Sequence, residues 1–197
     1  YEYMQALGVA VDAPLATALC YGIRSDTQDL ERDTTQADVD AYLALYPLAN
    51  KRALGRICRE REPEEYFQAL ARGLGKARIY GHVVVTGLGE VHCPETVAEI
   101  ADLLLRCQTV DWALAHGVYE GRIYLSLRTI DTSHNAGKVM RWLAHGLGTG
   151  GGHPSMAGGQ IPLAGQTKNV AELEQEILRR FLRRMHARRR QERPLLA

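Results

Sequence analysis

Residues 148–159 read GTGGGHPSMAGG, with six glycines, one histidine and one proline in twelve positions. Each glycine raises the entropy cost of ordering the chain, so neither a regular helix nor a regular strand favours this composition. The stretch reads as a loop that brings bare backbone close to something. Gly150, Gly151 and Gly152 offer amides with no Cβ beside them, which is one way to cradle an anion, and His153 adds a ring donor at the rim. The alternative is a structural glycine turn in which His153 satisfies a backbone group. No lysine follows the glycines at P-loop spacing, and no GxGxxG opens a helix after a strand.

The rest of the chain must supply a core for that segment. Hydrophobic residues make up 46% of the 197 positions and charged residues 24%, which excludes a disordered chain. A formal net charge of +1 names no partner, but the distribution is uneven. Residues 179–194, RRFLRRMHARRRQERP, concentrate arginine. Cys20, Cys58, Cys93 and Cys107 form no CxxC pair and read as small hydrophobes in a reducing compartment, so the expected location is cytoplasmic. No zinc-type ligand spacing occurs, the seven histidines show neither HxxxH nor HExxH, and no GxSxG elbow is present. No segment is long and apolar enough to span a bilayer, and no signal peptide opens the chain.

Periodicity divides the chain near residue 74. Residues 1–74 read as mostly helical. Asp12 is an N-cap with Pro14 in the first turn, Thr35 is a second cap, and helices are expected over 50–62 and 63–75. Residues 75–197 mix helix and strand. An extended run covers 76–91 and a helix covers 94–108. Two strands meet at Glu120 and Gly121 in a hairpin, and a helix covers 135–148. A last helix over 169–190 carries Val170, Leu173, Ile177, Phe181 and Met185 on one face. Its arginine-rich remainder is either a solvated face or a contact for RNA or another phosphate-rich partner. The apolar stripe could alternatively pair copies of the chain into a homodimer.

Two further residues carry candidate chemistry. Arg128 ends the strand YLSLRT, where a guanidinium fork can grip phosphate or simply form a surface ion pair. Asp26, in GIRSDTQDL, follows a buried helix. It reads as a helix stop or as one metal carboxylate, and spacing alone does not choose.

The order LATALCYGIRSDTQDL, TTQADVDAYL, YLSLRT and GTGGGHPSMAGGQIPL resembles the DHH-family phosphoesterases over residues 5–165. The branch most resembled is that of oligoribonucleases and 3′-phosphoadenosine 5′-phosphate phosphatases, within a RecJ-like superfamily. The resemblance implies an α/β fold. A helical C-terminal remnant of a DHH catalytic domain would be followed by a smaller mixed α/β DHH-associated domain. It implies Asp26 as a metal ligand of the first domain, which binds two manganese ions. Arg128, Gly150, Gly151, Gly152, His153, Ser155, Ala157 and Gly158 would then form the substrate side. The implied substrates are short oligonucleotides or nucleotide phosphate esters. The family's HxDxD segment and its Asp-His-His tripeptide do not occur in these 197 residues. Together with Tyr1 at the start, this leads us to expect a C-terminal portion of a longer hydrolase, inactive alone. The alternative is a non-catalytic RNA- or nucleotide-binding module.

Overall fold

The computed structural model describes residues 1–31, 34–59 and 61–196. Two compact units divide the chain, Tyr1–Arg61 and Glu62–Ala197.

The first unit is helical. Its elements are α1 (Glu2–Ala6), α2 (Ala13–Asp26), α3 (Gln36–Leu45) and α4 (Lys51–Ile57). Local chemistry sets the starts. Asp12 accepts from the Leu15 amide, Thr35 and Asp38 form a reciprocal capping box, and Asn50 accepts from Ala53. Ala16, Cys20, Leu45, Ala49 and Leu54 make a small buried core. The Thr17 hydroxyl ties two helices together by donating to the Ala13 carbonyl and accepting from the Asn50 amide.

The second unit contains α5 (Glu64–Lys76), β1 (Arg78–Tyr80), β2 (Val83–Glu90), α6 (Glu95–Leu105), β3 (Trp112–Tyr119) and β4 (Arg122–Thr129). It continues through α7 (Ala136–Ala144), β5 (Thr149–Gly152), β6 (Met156–Pro162), α8 (Val170–Arg184), a 3₁₀ turn (Arg189–Gln191) and β7 (Glu192–Pro194). The strands form one sheet in the order β5-β6-β4-β3-β2-β1-β7. The β2–β3 pair is parallel, with α6 as its crossover, and the other pairs are antiparallel. Period-2 alternation sends Ile79, Val84, Leu88, Ala113 and Ala115 to one face, where α5 and α6 cover them. Val83, Val85, Trp112, Leu114, Ile123, Leu125 and Leu127 face the side of α7 and α8.

The division falls between Arg61 and Glu62 rather than near residue 74, because α5 packs on β2. Gly73 is the close-approach point. A Cβ there would sit 2.6 Å from a methyl of Leu88. In this chain the mixed unit is the larger of the two. At the β3–β4 turn, Glu120 and Gly121 both take left-handed φ, of 44° and 70°, as a two-residue type I′ hairpin demands.

Two sequence expectations are corrected. The last helix ends at Arg184 instead of running through residue 190. His186 turns left-handed (φ 53°), and the chain returns to the sheet as β7, paired with β1. The arginine run 188–190 therefore does not continue the surface of α8. Leu173, Ile177 and Phe181 are fully buried against the sheet, so that stripe is not available for pairing copies of the chain.

The glycine run is also not a loop. It forms the edge hairpin β5–β6, with Gly150 opposite Gly159 and Gly151 opposite Gly158. What admits glycine to these strands is helix α7. A Cβ on Gly150 would lie 2.8 Å from Met140 Cγ, and one on Gly159 would lie 2.8 Å from Met140 Sδ. Bare backbone lets α7 settle directly onto the sheet.

Candidate functional site

On the opposite face of the same hairpin the sheet is uncovered. Pairing aligns Tyr124, Ser126 and Arg128 of β4 with Gln160, Gly158 and Met156 of β6, and Gly158 with Gly151 of β5. These positions share one side of the pleat. Together with the first turn of α6 (Pro94, Glu95, Val97, Ala98) they line a cleft of about 720 Å³. Its floor holds two glycines that face open space. A Cβ on Gly151 would meet only Arg141 Nη1 at 3.9 Å, and one on Gly158 only the Leu125 carbonyl at 3.8 Å. The hairpin therefore uses its glycines in two ways: Gly150 and Gly159 admit the helix beneath, and Gly151 and Gly158 leave the cleft floor bare.

Arg128 enters this cleft from β4 and is only 9% exposed. Nε donates to Asp102 Oδ1 at 2.8 Å, and Nη1 donates to Ser126 Oγ at 2.8 Å and to the Leu127 carbonyl at 3.2 Å. Nη2 is the part of the fork with no partner among the described residues. Asp102, on α6, is 40% exposed at its side chain, so the pair is half wet and holds the guanidinium in a fixed orientation.

His153 lies at the rim, exposed, immediately after β5. Its amide donates to the Met156 carbonyl at 2.8 Å and its carbonyl accepts from Gly137. Amide direction alternates along an antiparallel strand, so Gly151 donates toward β6 while Gly150 and Gly152 point to the outer edge. Part of the amide row is thus spent in the sheet. The first amides of α7 are used as well, donating to the carbonyls of His153 and Pro154.

Arg128, Gly150, Gly151, Gly152, His153, Ala157 and Gly158 all border the one cleft. Ser155 does not line it. Its hydroxyl is buried with no hydrogen-bond partner among the described residues, while its carbonyl accepts from the Thr129 amide. Asp26 belongs to the other unit, exposed in the last turn of α2. Among the described residues no group of three His, Cys, Asp or Glu side chains is arranged to hold a metal ion. The residues present therefore do not fit a two-metal centre. Sequence reasoning missed Asp102, Ser126, Tyr124 and Gln160. Ser126 and Tyr124 lie two and four residues before Arg128 on the same side of β4, and Gln160 joins them as the cross-strand partner of Tyr124, which only strand register reveals.

Two other polar clusters are structural. Beyond β4, Asp131, Ser133 and His134 hydrogen-bond one another, but both Ser133 and Asp131 meet His134 at Nδ1. A catalytic relay needs opposite ring nitrogens, so this is a turn that presents Asn135 to cap α7. The Ser133 hydroxyl and amide, with His134 and Trp112, hold the Asp131 carboxyl far below the usual carboxylate range. Across the sheet, His116 is 6% exposed, with Nδ1 3.4 Å from Glu174 of α8. A Cβ at residue 87 would come within 2.6 Å of the imidazole, so Gly87 is what admits the ring. His116 holds the Glu174 carboxylate below its ordinary range, partly offset by burial and helped by Lys76.

The family pattern of the DHHA1 domain matches residues 81–184, just over half of the chain. This chain belongs to the DHHA1 domain family. The match takes in the cleft and the sheet from β2 to α8. An uncharacterized protein of Methanocaldococcus jannaschii is 30% identical over 174 residues, covering 88% of this chain and 35% of that protein. An exopolyphosphatase-related protein from Bacteroides fragilis shares the fold, with a TM-score of 0.68 and 14% identity. That alignment covers 93% of this chain and 54% of the other. The chain therefore spans less than two thirds of either protein. The C-Ala domain of alanyl-tRNA synthetase from Aquifex aeolicus aligns over 52% of this chain and 97% of its own, at 23% identity. Its TM-score of 0.40 is too low to argue from. No helix among the described residues is long and apolar enough to cross a membrane.

Proposed function

We propose that this DHHA1 chain is the substrate-holding part of a phosphoesterase. Its cleft would seat the phosphate end of a nucleotide or short oligonucleotide. The observation that carries this reading is the convergence of Arg128 and His153 over a floor made bare by Gly151 and Gly158. A buried guanidinium already oriented by Asp102 and Ser126 loses little freedom when it meets a phosphate oxygen. A floor without Cβ atoms lets a ligand lie against the main chain. The opening turn of α6 has no side-chain cap, so its amides present the positive end of the helix dipole at the cleft wall. Val97, Ala98 and Met156 supply the apolar part that excludes water.

What this chain does not supply is the hydrolytic step. A metal ion held by the whole protein would supply the activated water, and the described residues of this chain do not hold such a centre by themselves. Asp26 would be this chain's one contribution to such a centre. The chain alone then binds and does not turn over. The oligoribonuclease and 3′-phosphoadenosine 5′-phosphate phosphatase branch is the favoured one.

The test is calorimetric titration of the chain with 3′-phosphoadenosine 5′-phosphate, a dinucleotide and unphosphorylated adenosine. The phosphate-bearing ligands are expected to bind at least roughly ten-fold more tightly than adenosine, and Arg128→Met to erase the difference. Equal binding of all three ligands overturns the reading. A longer protein that binds these ligands but hydrolyses none in manganese would point instead to a nucleotide-binding module.

A further inference from the structure

The arginines of the C-terminal segment do not act as one patch. Arg179 and Arg180 are both held by Glu176, and Arg180 also donates to the carbonyls of Leu143 and His145 at the end of α7. Arg183 and Arg184 enter no ion pair among the described residues. They converge with Lys138, Trp142 and His186 on a separate cleft of about 420 Å³ between α7 and α8. The Arg183 guanidinium lies 5.3 Å from the centre of the Trp142 ring.

On α7, Lys138, Arg141 and Trp142 fall within about 100° of one another at helical spacing, so they share one face. Lys138 and Arg141 are exposed and likewise unpaired among the described residues. Arg141 is also the group nearest the open side of Gly151, on the floor of the first cleft. Cations thus run without an intervening acid on α7 from the Gly151 floor, through Arg141 and Lys138, to Arg183 and Arg184.

We propose that this row is a track for the backbone of a single-stranded oligonucleotide whose end occupies the Arg128–His153 cleft. Four unpaired cations in sequence match a chain of repeating phosphates. The stacked Arg183–Trp142 layer gives a base a flat cationic surface, which an acidic peptide has no ring to use. The proposal rests on the cleft reading only for where the strand ends. The track itself has its own readout.

The experiment measures binding of the full chain to a labelled strand of about twelve nucleotides and to a dinucleotide, across a salt series. A polyglutamate of matched length serves as the control. Arg183→Ala with Arg184→Ala is expected to weaken the long strand roughly ten-fold and to flatten its log K against log salt slope by about 1.4, two contacts at about 0.7 each. Dinucleotide binding should not change. Lys138→Ala with Arg141→Ala, on a different helix, should weaken the long strand similarly. Unchanged binding of the long strand in both double variants overturns the track. Polyglutamate that binds as tightly as the strand, and is weakened equally, overturns it too, because the surface is then a generic anion site. If the dinucleotide fails to bind while the long strand binds and responds to the variants, the cleft reading fails and the track stands.

Discussion

Asp102 on α6 accepts from Arg128 on β4 at 2.8 Å, joining the roof of the cleft to its floor. The pair orients the guanidinium and also neutralises it. Asp102→Asn keeps the shape and removes the charge. A broken buried pair costs several kcal/mol, but Asp102 is 40% exposed, so the expected loss is about 1–2 kcal/mol in urea denaturation. Phosphate-bearing ligands should bind several-fold more tightly to the variant, since Arg128 no longer shares its charge. A variant that is weaker in both stability and binding would mean that orientation matters more than charge.

Neighbouring glycines in β5 should respond oppositely to the same added methyl. Gly150→Ala drives a Cβ to 2.8 Å from Met140 Cγ and 3.0 Å from the Met140 carbonyl. Overpacking of this kind costs about 1–3 kcal/mol, read as a lower melting temperature. Gly151→Ala meets nothing closer than 3.9 Å and should leave stability within about 0.5 kcal/mol. It places a methyl on the cleft floor, however, and ligand affinity should fall. Equal effects of the two substitutions on stability would contradict the two-faced hairpin.

How legible was this in the sequence? The caps at Asp12 and Thr35, the Glu120–Gly121 turn and the apolar stripe of α8 could all be read, because each is set by residues within a turn or two of one another. The glycine hairpin was misread as a loop. The reason glycine suits it is the approach of Met140, a contact between separate elements that composition does not show. Arg128 was singled out by its place at a strand end, but Asp102 lies 26 residues away and becomes its partner only through the β2–α6–β3 crossover. The same holds for Gly87 and His116, which are brought together by parallel register.

Stability should depend on pH through Glu174. Its folded pKa lies below its ordinary value of 4.5 because His116 and Lys76 face it. A depressed carboxylate stabilises the fold above its unfolded pKa, and that contribution disappears as pH falls through the folded pKa. The gap in melting temperature between the wild type and Glu174→Gln should therefore be widest above the ordinary carboxylate range and close as pH falls through the lowered folded pKa. A gap that stays constant down to acid would show that the carboxylate is indifferent to the buried ring.

Arg179 and Arg180 are adjacent, and both bond Glu176, whose carboxyl they hold down at about 2. Their surroundings differ. The Arg179 side chain is 54% exposed, so its ion pair is a surface one worth about 0–1 kcal/mol. Arg180 is 19% exposed and its Nη1 donates to two carbonyls that close α7, at 2.9 and 2.7 Å. Lysine keeps the charge but cannot fork across those partners. Arg179→Lys should leave the denaturation midpoint nearly unchanged. Arg180→Lys should cost about 1–2 kcal/mol, since α7 would lose donors at its buried end. Amide exchange at residues 140–148 offers a local readout. Faster exchange there in Arg180→Lys, with none in Arg179→Lys, would show that this arginine serves the helix under the glycine hairpin rather than the solvent.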